Sequence, residues 1–115
     1  MTPQQLKDRI TDILKEKKNI DLTVIDVTGQ TEIADYMIIL TGSTNSAVRA
    51  LCEEIDEKLE KDGVTASRKE GISEGRWIVM DYSSVLVHIF NKETRGYYEL
   101  EKFWGKDGNV TKIAD

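Results

Sequence analysis

Cys52 and His88 are the one thiol and the one imidazole in the chain. Together they are the only thiol–imidazole couple available for nucleophilic catalysis. Cys52 falls beside Leu51 and Ile55 on an apolar helical stripe. Burial there raises a thiol's pKa and leaves it inert. No third group is placed to orient the imidazole, so the pair reads as structural. A lone cysteine also excludes an internal disulfide and a Cys-rich zinc site. A lone histidine excludes any site that needs two imidazoles, HExxH included.

Gly42-Ser43 follows a strand pattern and opens a helix pattern. Free N–H groups and the helix dipole make such a turn a phosphate cradle. Nucleotidyltransferases begin their active sites with a similar turn, and add two acids at alternating positions of the next strand to hold metal ions. The next strand is expected at Val64–Arg68 and carries no acid. Glu54 and Asp56 have the right spacing but lie on a helix, where they point to different faces. An ordinary helix cap is the better reading of the turn. Nucleotide binding at Gly42-Ser43 is kept as the alternative.

Two strands carry the third candidate. Alternation puts Leu86, His88 and Phe90 on one face of their strand, and Trp77, Val79 and Asp81 on one face of theirs. If helices cover only the opposite face, an aromatic and apolar surface with an acid and a histidine is left open. A Trp at the centre of such a patch is a typical interface anchor. The competing reading makes Trp77 and Phe90 core and gives His88 a hydrogen bond within the sheet. Pattern alone does not choose between them.

These residues need elements to position them. Thr2 and Gln5 form a capping box with Pro3 at the first helical position, and Leu6, Ile10, Ile13 and Leu14 repeat at helical spacing. Asp21–Val27 and the apolar run Tyr36–Thr41 read as strands, the second buried on both faces. Ser43 or Thr44 caps a helix with Val48, Leu51, Cys52, Ile55 and Leu59 on one stripe, ended by Gly63. Lys69–Gly75 reads as a polar loop. Arg76–Asp81 and Val85–Phe90 read as a hairpin around Tyr82-Ser83-Ser84. A last helix starts at Asn91 or Thr94 and runs to about Trp104, with Tyr97, Leu100 and Trp104 on one face. Gly96 within it costs about 1 kcal/mol against Ala. The fold class is α/β (α+β): a mixed sheet of about five strands with helices mainly on one face. Residues 1–104 are expected to form a single domain, and 105–115 a flexible tail.

The 115 residues suffice for one domain with its own core. Acids outnumber bases 21 to 16, and the two signs are interleaved, which argues against broad nucleic-acid binding. An acidic domain suits a basic protein partner. No apolar run approaches a membrane span, and the N-terminus has neither a signal-peptide core nor a transit-peptide pattern. The expected location is the cytoplasm.

Four blocks carry a family resemblance: Asp35-Tyr36-Met37-Ile38-Ile39-Leu40-Thr41-Gly42, Trp77-Ile78-Val79-Met80-Asp81, Val87-His88-Ile89-Phe90, and Arg95 followed by Tyr98-Glu99-Leu100-Glu101-Lys102-Phe103-Trp104. In this order and spacing, across about residues 5–104, the chain resembles the ribosomal silencing factors, also called the Iojap family. The resemblance implies a nucleotidyltransferase-like fold without the catalytic acids, and no enzyme activity, cofactor or metal. It implies binding to the large ribosomal subunit through the ribosomal protein L-fourteen. A factor held there blocks joining of the small subunit, represses translation when nutrients are short, and acts in large-subunit biogenesis. Steric exclusion of this kind needs affinity and no chemistry.

Trp77, Asp81 and His88 match family positions carried over as docking residues; Phe90, Leu100 and Trp104 are added to them. Some relatives form homodimers, and a dimer burying this surface would compete with the ribosome. Two departures stand out. Many relatives have Arg-His where this chain has Ser46-Ala47, and Gly-Asp where it has Ser83-Ser84. A basic pair and a carboxylate available to those relatives are therefore missing here.

Overall fold

The computed structural model describes residues Met1–Asp115. Helix α1 spans Pro3–Leu14. The Thr2 hydroxyl accepts from the Gln5 N–H, and the Gln5 side chain accepts from the Thr2 N–H. Two otherwise unpaired donors of the helix start are thereby satisfied. Strands β1 (Leu22–Asp26) and β2 (Tyr36–Gly42) follow, then α2 (Asn45–Lys61), capped by Thr44. Next come β3 (Arg68–Glu70), β4 (Trp77–Asp81) and β5 (Val85–Asn91). The chain ends with two short helices, α3 (Lys92–Tyr98) and α4 (Leu100–Trp104), and strand β6 (Val110–Ala114).

The strands form one mixed sheet in the order β3-β4-β5-β2-β1-β6. Only β2 and β5 run parallel, at the centre; the other pairs are antiparallel. Helices α1 and α2 lie on one face. Their apolar stripes meet Leu22, Val24, Ile38, Leu40, Ile78, Met80, Val85, Val87 and Ile89 in a cluster of 20 buried residues. Each large side chain so buried contributes about 1.5–3 kcal/mol. The opposite face carries a cluster of seven: Ile25, Val27, Ala34, Met37, Ile39, Leu86 and Phe90. Trp77, Val79, Leu100 and Trp104 pack against it while staying partly exposed.

The mixed sheet with its two long helices on one face is as expected. Four details differ. The sheet has six strands, not about five. The strand expected at 64–68 lies at Arg68–Glu70, because an exposed, fully charged edge strand shows no apolar alternation. The last helix is broken at Glu99, whose φ is +44°. The stretch after Trp104, expected to be a tail, includes β6. It pairs with β1 and is pinned by the Asn109 amide, which donates to the carbonyls of Asp26 and Trp104. Gly105 permits this turn, since a Cβ there would lie 2.2 Å from the Glu101 carbonyl oxygen.

Candidate functional site

The register of β4 against β5 builds the second face. Trp77 pairs with Phe90 and Val79 with His88 across the antiparallel ladder. Alternation then brings the Trp77, His88 and Phe90 rings onto one side. Trp77 stacks on Phe90 with centroids 4.9 Å apart, and lies 4.7 Å from the Tyr98 ring. Its indole N–H donates to His88 Nδ1 at 3.1 Å. That bond makes Nδ1 the acceptor and leaves the neutral ring's proton on Nε2. His88 Nε2 is buried without a hydrogen-bond partner. Burial lowers the His88 pKa to about 4, so the ring is neutral at physiological pH.

The six expected docking residues fall into two sets. Trp77, Asp81, Leu100 and Trp104 are partly exposed. Phe90 is 1% exposed and His88 7%, so both lie beneath the surface. Asp81 is engaged locally, its carboxylate accepting from the Ser83 N–H at 2.8 Å. Trp77, Phe90, Leu100 and Trp104 are all brought to the second cluster. Both readings of the sheet aromatics hold in part: Phe90 and His88 are interior, and Trp77 is the half-open lid above them.

Residues outside that set complete the surface. Tyr97 and Phe103 are 81% and 74% exposed, and Tyr98 is exposed as well. Tyr97 meets Tyr98 edge-on at 5.1 Å, and Phe103 meets Trp104 at 5.0 Å. The short helices therefore cover the second face with rings that still face water. The helical spacing of Tyr97, Leu100 and Trp104 is interrupted by the left-handed Glu99, which redirects α4.

Arg95 positions these helices, a role that its sequence context did not reveal. Its guanidinium is buried and donates to Thr41 Oγ1 at 2.9 Å, Thr23 Oγ1 at 3.3 Å, the Asp21 carbonyl and Glu101 at 2.9 Å. One side chain thus ties α3 to β1, β2 and α4. The planar fork of Arg suits such divergent bonding better than Lys would.

Gly42-Ser43 has a packing explanation. A Cβ on Gly42 would lie 2.8 Å from Val48, so glycine lets α2 pack close to the end of β2. Thr44, not Ser43, accepts from Ala47 as the cap. Strand β3 carries one acid, Glu70, with Arg68 at the alternating position, and β5 and β4 separate it from β2. The acid pair that a nucleotidyltransferase needs is not formed there. Cys52 is buried, which raises its pKa. It lies in the cluster under the helices, whereas His88 is on the opposite face, so the two do not form a dyad.

These features define a small α+β domain whose long helices seal one face and whose other face presents partly open aromatic rings. The whole chain, residues 1–115, matches the family model described as "Ribosomal silencing factor during starvation". The chain belongs to that family. It is 37% identical to the ribosomal silencing factor of Bacillus subtilis, over 78% of this chain and 76% of that protein. It is 27% identical to mouse "Mitochondrial assembly of ribosomal large subunit protein 1", over 93% of this chain and 50% of that protein. The crystal structure of protein CV0518 from Chromobacterium violaceum superposes with a TM-score of 0.86 at 30% identity, covering 100% of this chain and 98% of that one. No helix here is long and apolar enough to cross a membrane.

Proposed function

We propose that this domain is a non-enzymatic docking module that binds the large ribosomal subunit through the protein L-fourteen. Bound there, it blocks joining of the small subunit and represses translation when nutrients are limiting; a role in large-subunit assembly is part of the same reading. The observation that carries it is the second face. Trp77 sits partly exposed on a buried Phe90–His88 base, flanked by Tyr98, Leu100 and Trp104. A rigid aromatic over a packed base is what a binding hot spot requires. The family membership supplies the ribosome as the place to look. The acidic balance of 21 to 16 favours steering toward basic ribosomal proteins.

Size supports the mechanism. The domain measures 34 × 33 × 25 Å, too large to share a close contact surface with a second subunit. Exclusion follows from occupancy alone. The domain works in this reading without cofactor or membrane, in the cytoplasm, with little direct contact to nucleic acid. A homodimer that buried the Trp77 face would compete with the subunit.

Sedimentation through a cushion with separated subunits tests the proposal. The protein should pellet with large subunits at about one copy each, and not with small ones. It should also lower the yield of joined ribosomes. Pelleting with neither subunit would refute the reading.

A further inference from the structure

At the centre of the sheet, β2 and β5 run parallel, and Gly42 pairs with Asn91 at their carboxyl ends. The chain then leaves in opposite directions. Helix α2 packs on the 20-residue cluster, while α3 sends Arg95 to Thr23 and Tyr98 to Trp77 on the other face. Diverging connections of this kind open a crevice outside the strand ends. The crevice exists: a half-open cleft of about 740 Å³. Trp77, Tyr97 and Tyr98 form its aromatic wall, and its charged groups are Glu74, Arg76 and Glu93.

We propose that this cleft receives an arginine side chain of the docked protein partner, an inference that rests on the docking function above. The lining holds two carboxylates and one guanidinium, a net charge of -1 (two acids against one base). Glu74, Arg76 and Glu93 belong to none of the ion pairs in the molecule. The two carboxylates are therefore free to take a guanidinium in charge-assisted bonds. Within the aromatic wall, Tyr97 is 81% exposed and offers a π face on which a guanidinium plane stacks.

A nucleotide fits the same volume less well. Its phosphates would meet two carboxylates and a single cation. Asn91 is also already committed: it donates to Asn45 Oδ1 at 2.9 Å and caps α3 by accepting from the Thr94 N–H.

The test uses the full chain and two readouts. In the first, N-acetyl-arginine amide is titrated at millimolar concentration while the two indole N–H signals, from Trp77 and Trp104, are followed by NMR. Trp77 should shift and Trp104 should not. The shift should vanish in the double variant Glu74→Gln/Glu93→Gln, whose positions are exposed. Adenosine monophosphate is titrated in parallel; a stronger Trp77 response to it than to arginine would overturn the proposal in favour of a nucleotide. No Trp77 shift with arginine would overturn it as well. In the second readout, the double variant should bind large subunits about tenfold more weakly at low salt, with the deficit shrinking at high salt. Tyr97→Ala should lose about threefold. If wild-type protein binds large subunits and the double variant binds equally well, the cleft assignment is wrong and the docking function stands. If wild-type protein binds no subunit, the docking function fails, and with it the assignment of the cleft to a docked partner.

Discussion

The two faces of the sheet are built differently. Under α1 and α2, 20 buried residues form one continuous apolar cluster. On the other side the buried apolar cluster has only seven residues, roofed by helices of seven and five residues. The first face carries aliphatic side chains at nearly every inward position. The second mixes aliphatics with rings, a histidine and a buried arginine. A face that only has to be stable is filled and sealed. The second face, which the proposed function assigns to partner docking, keeps rigid rings partly open and uses hydrogen bonds to hold them. Dispersion and area burial serve the first; orientation serves the second.

That contrast can be broken by substitution. Leu40→Ala empties a fully buried position under the helices. It should cost about 2–5 kcal/mol, read as a lower midpoint in urea, while the folded fraction still binds large subunits normally. A lost affinity beyond the unfolded fraction would mean that the faces are not separable.

His88 gives a pH test of the second face. Above pH 6.5 the imidazole is neutral in both the folded and unfolded states. As the pH falls below 6.5, the unfolded chain gains a proton that the buried ring refuses until about pH 4. Stability contributed by the neutral ring is thus complete above 6.5 and lost between 6.5 and 4, by about 3 kcal/mol in all. His88→Gln keeps an acceptor for the Trp77 N–H and should flatten this part of the profile. An unchanged profile in the variant would show that other groups set it.

Arg95→Met removes the tie between α3 and the sheet. The loss should be about 2 kcal/mol, below the full cost of breaking a wholly buried pair because Glu101 is partly exposed. Hydrogen exchange should quicken in α3 and α4 first and leave α2 protected. Uniform loss of protection would contradict a local role.

Much of this was legible in the sequence, for physical reasons. The periodicity of Leu6, Ile10 and Leu14, and of Val48, Leu51, Ile55 and Leu59, marks helices with one buried face. The alternation in Trp77–Asp81 and Val85–Phe90 assigned each residue to the correct side of the sheet. What was not legible depends on tertiary partners. Edge strand β3 is all charge, and β6 is held by β1 and Asn109, so neither signals itself by an apolar pattern. Nothing local marks Glu99 as left-handed. Arg95 is marked in the sequence only as part of a block that carries the family resemblance; its bonds to Thr23 and Thr41 join residues far apart in the chain, and that to Glu101 spans the break at Glu99, so none leaves a local signal. Alternation assigns Trp77 and Phe90 each to a face of its own strand, but their pairing, and which ring lies below, depend on the register and on the cover that α3 and α4 provide.

The most direct measurement sets Trp77→Ala beside Leu40→Ala, each with a urea midpoint and a large-subunit affinity from sedimentation. The account predicts that Trp77→Ala keeps a cooperative fold, losing about 2 kcal/mol for a half-buried ring, and binds at least about 30-fold more weakly. Leu40→Ala should do the reverse, with the larger loss of stability and an unchanged affinity per folded molecule. Normal binding by a folded Trp77→Ala protein would contradict the claim that the half-open aromatic face is where the ribosome is met.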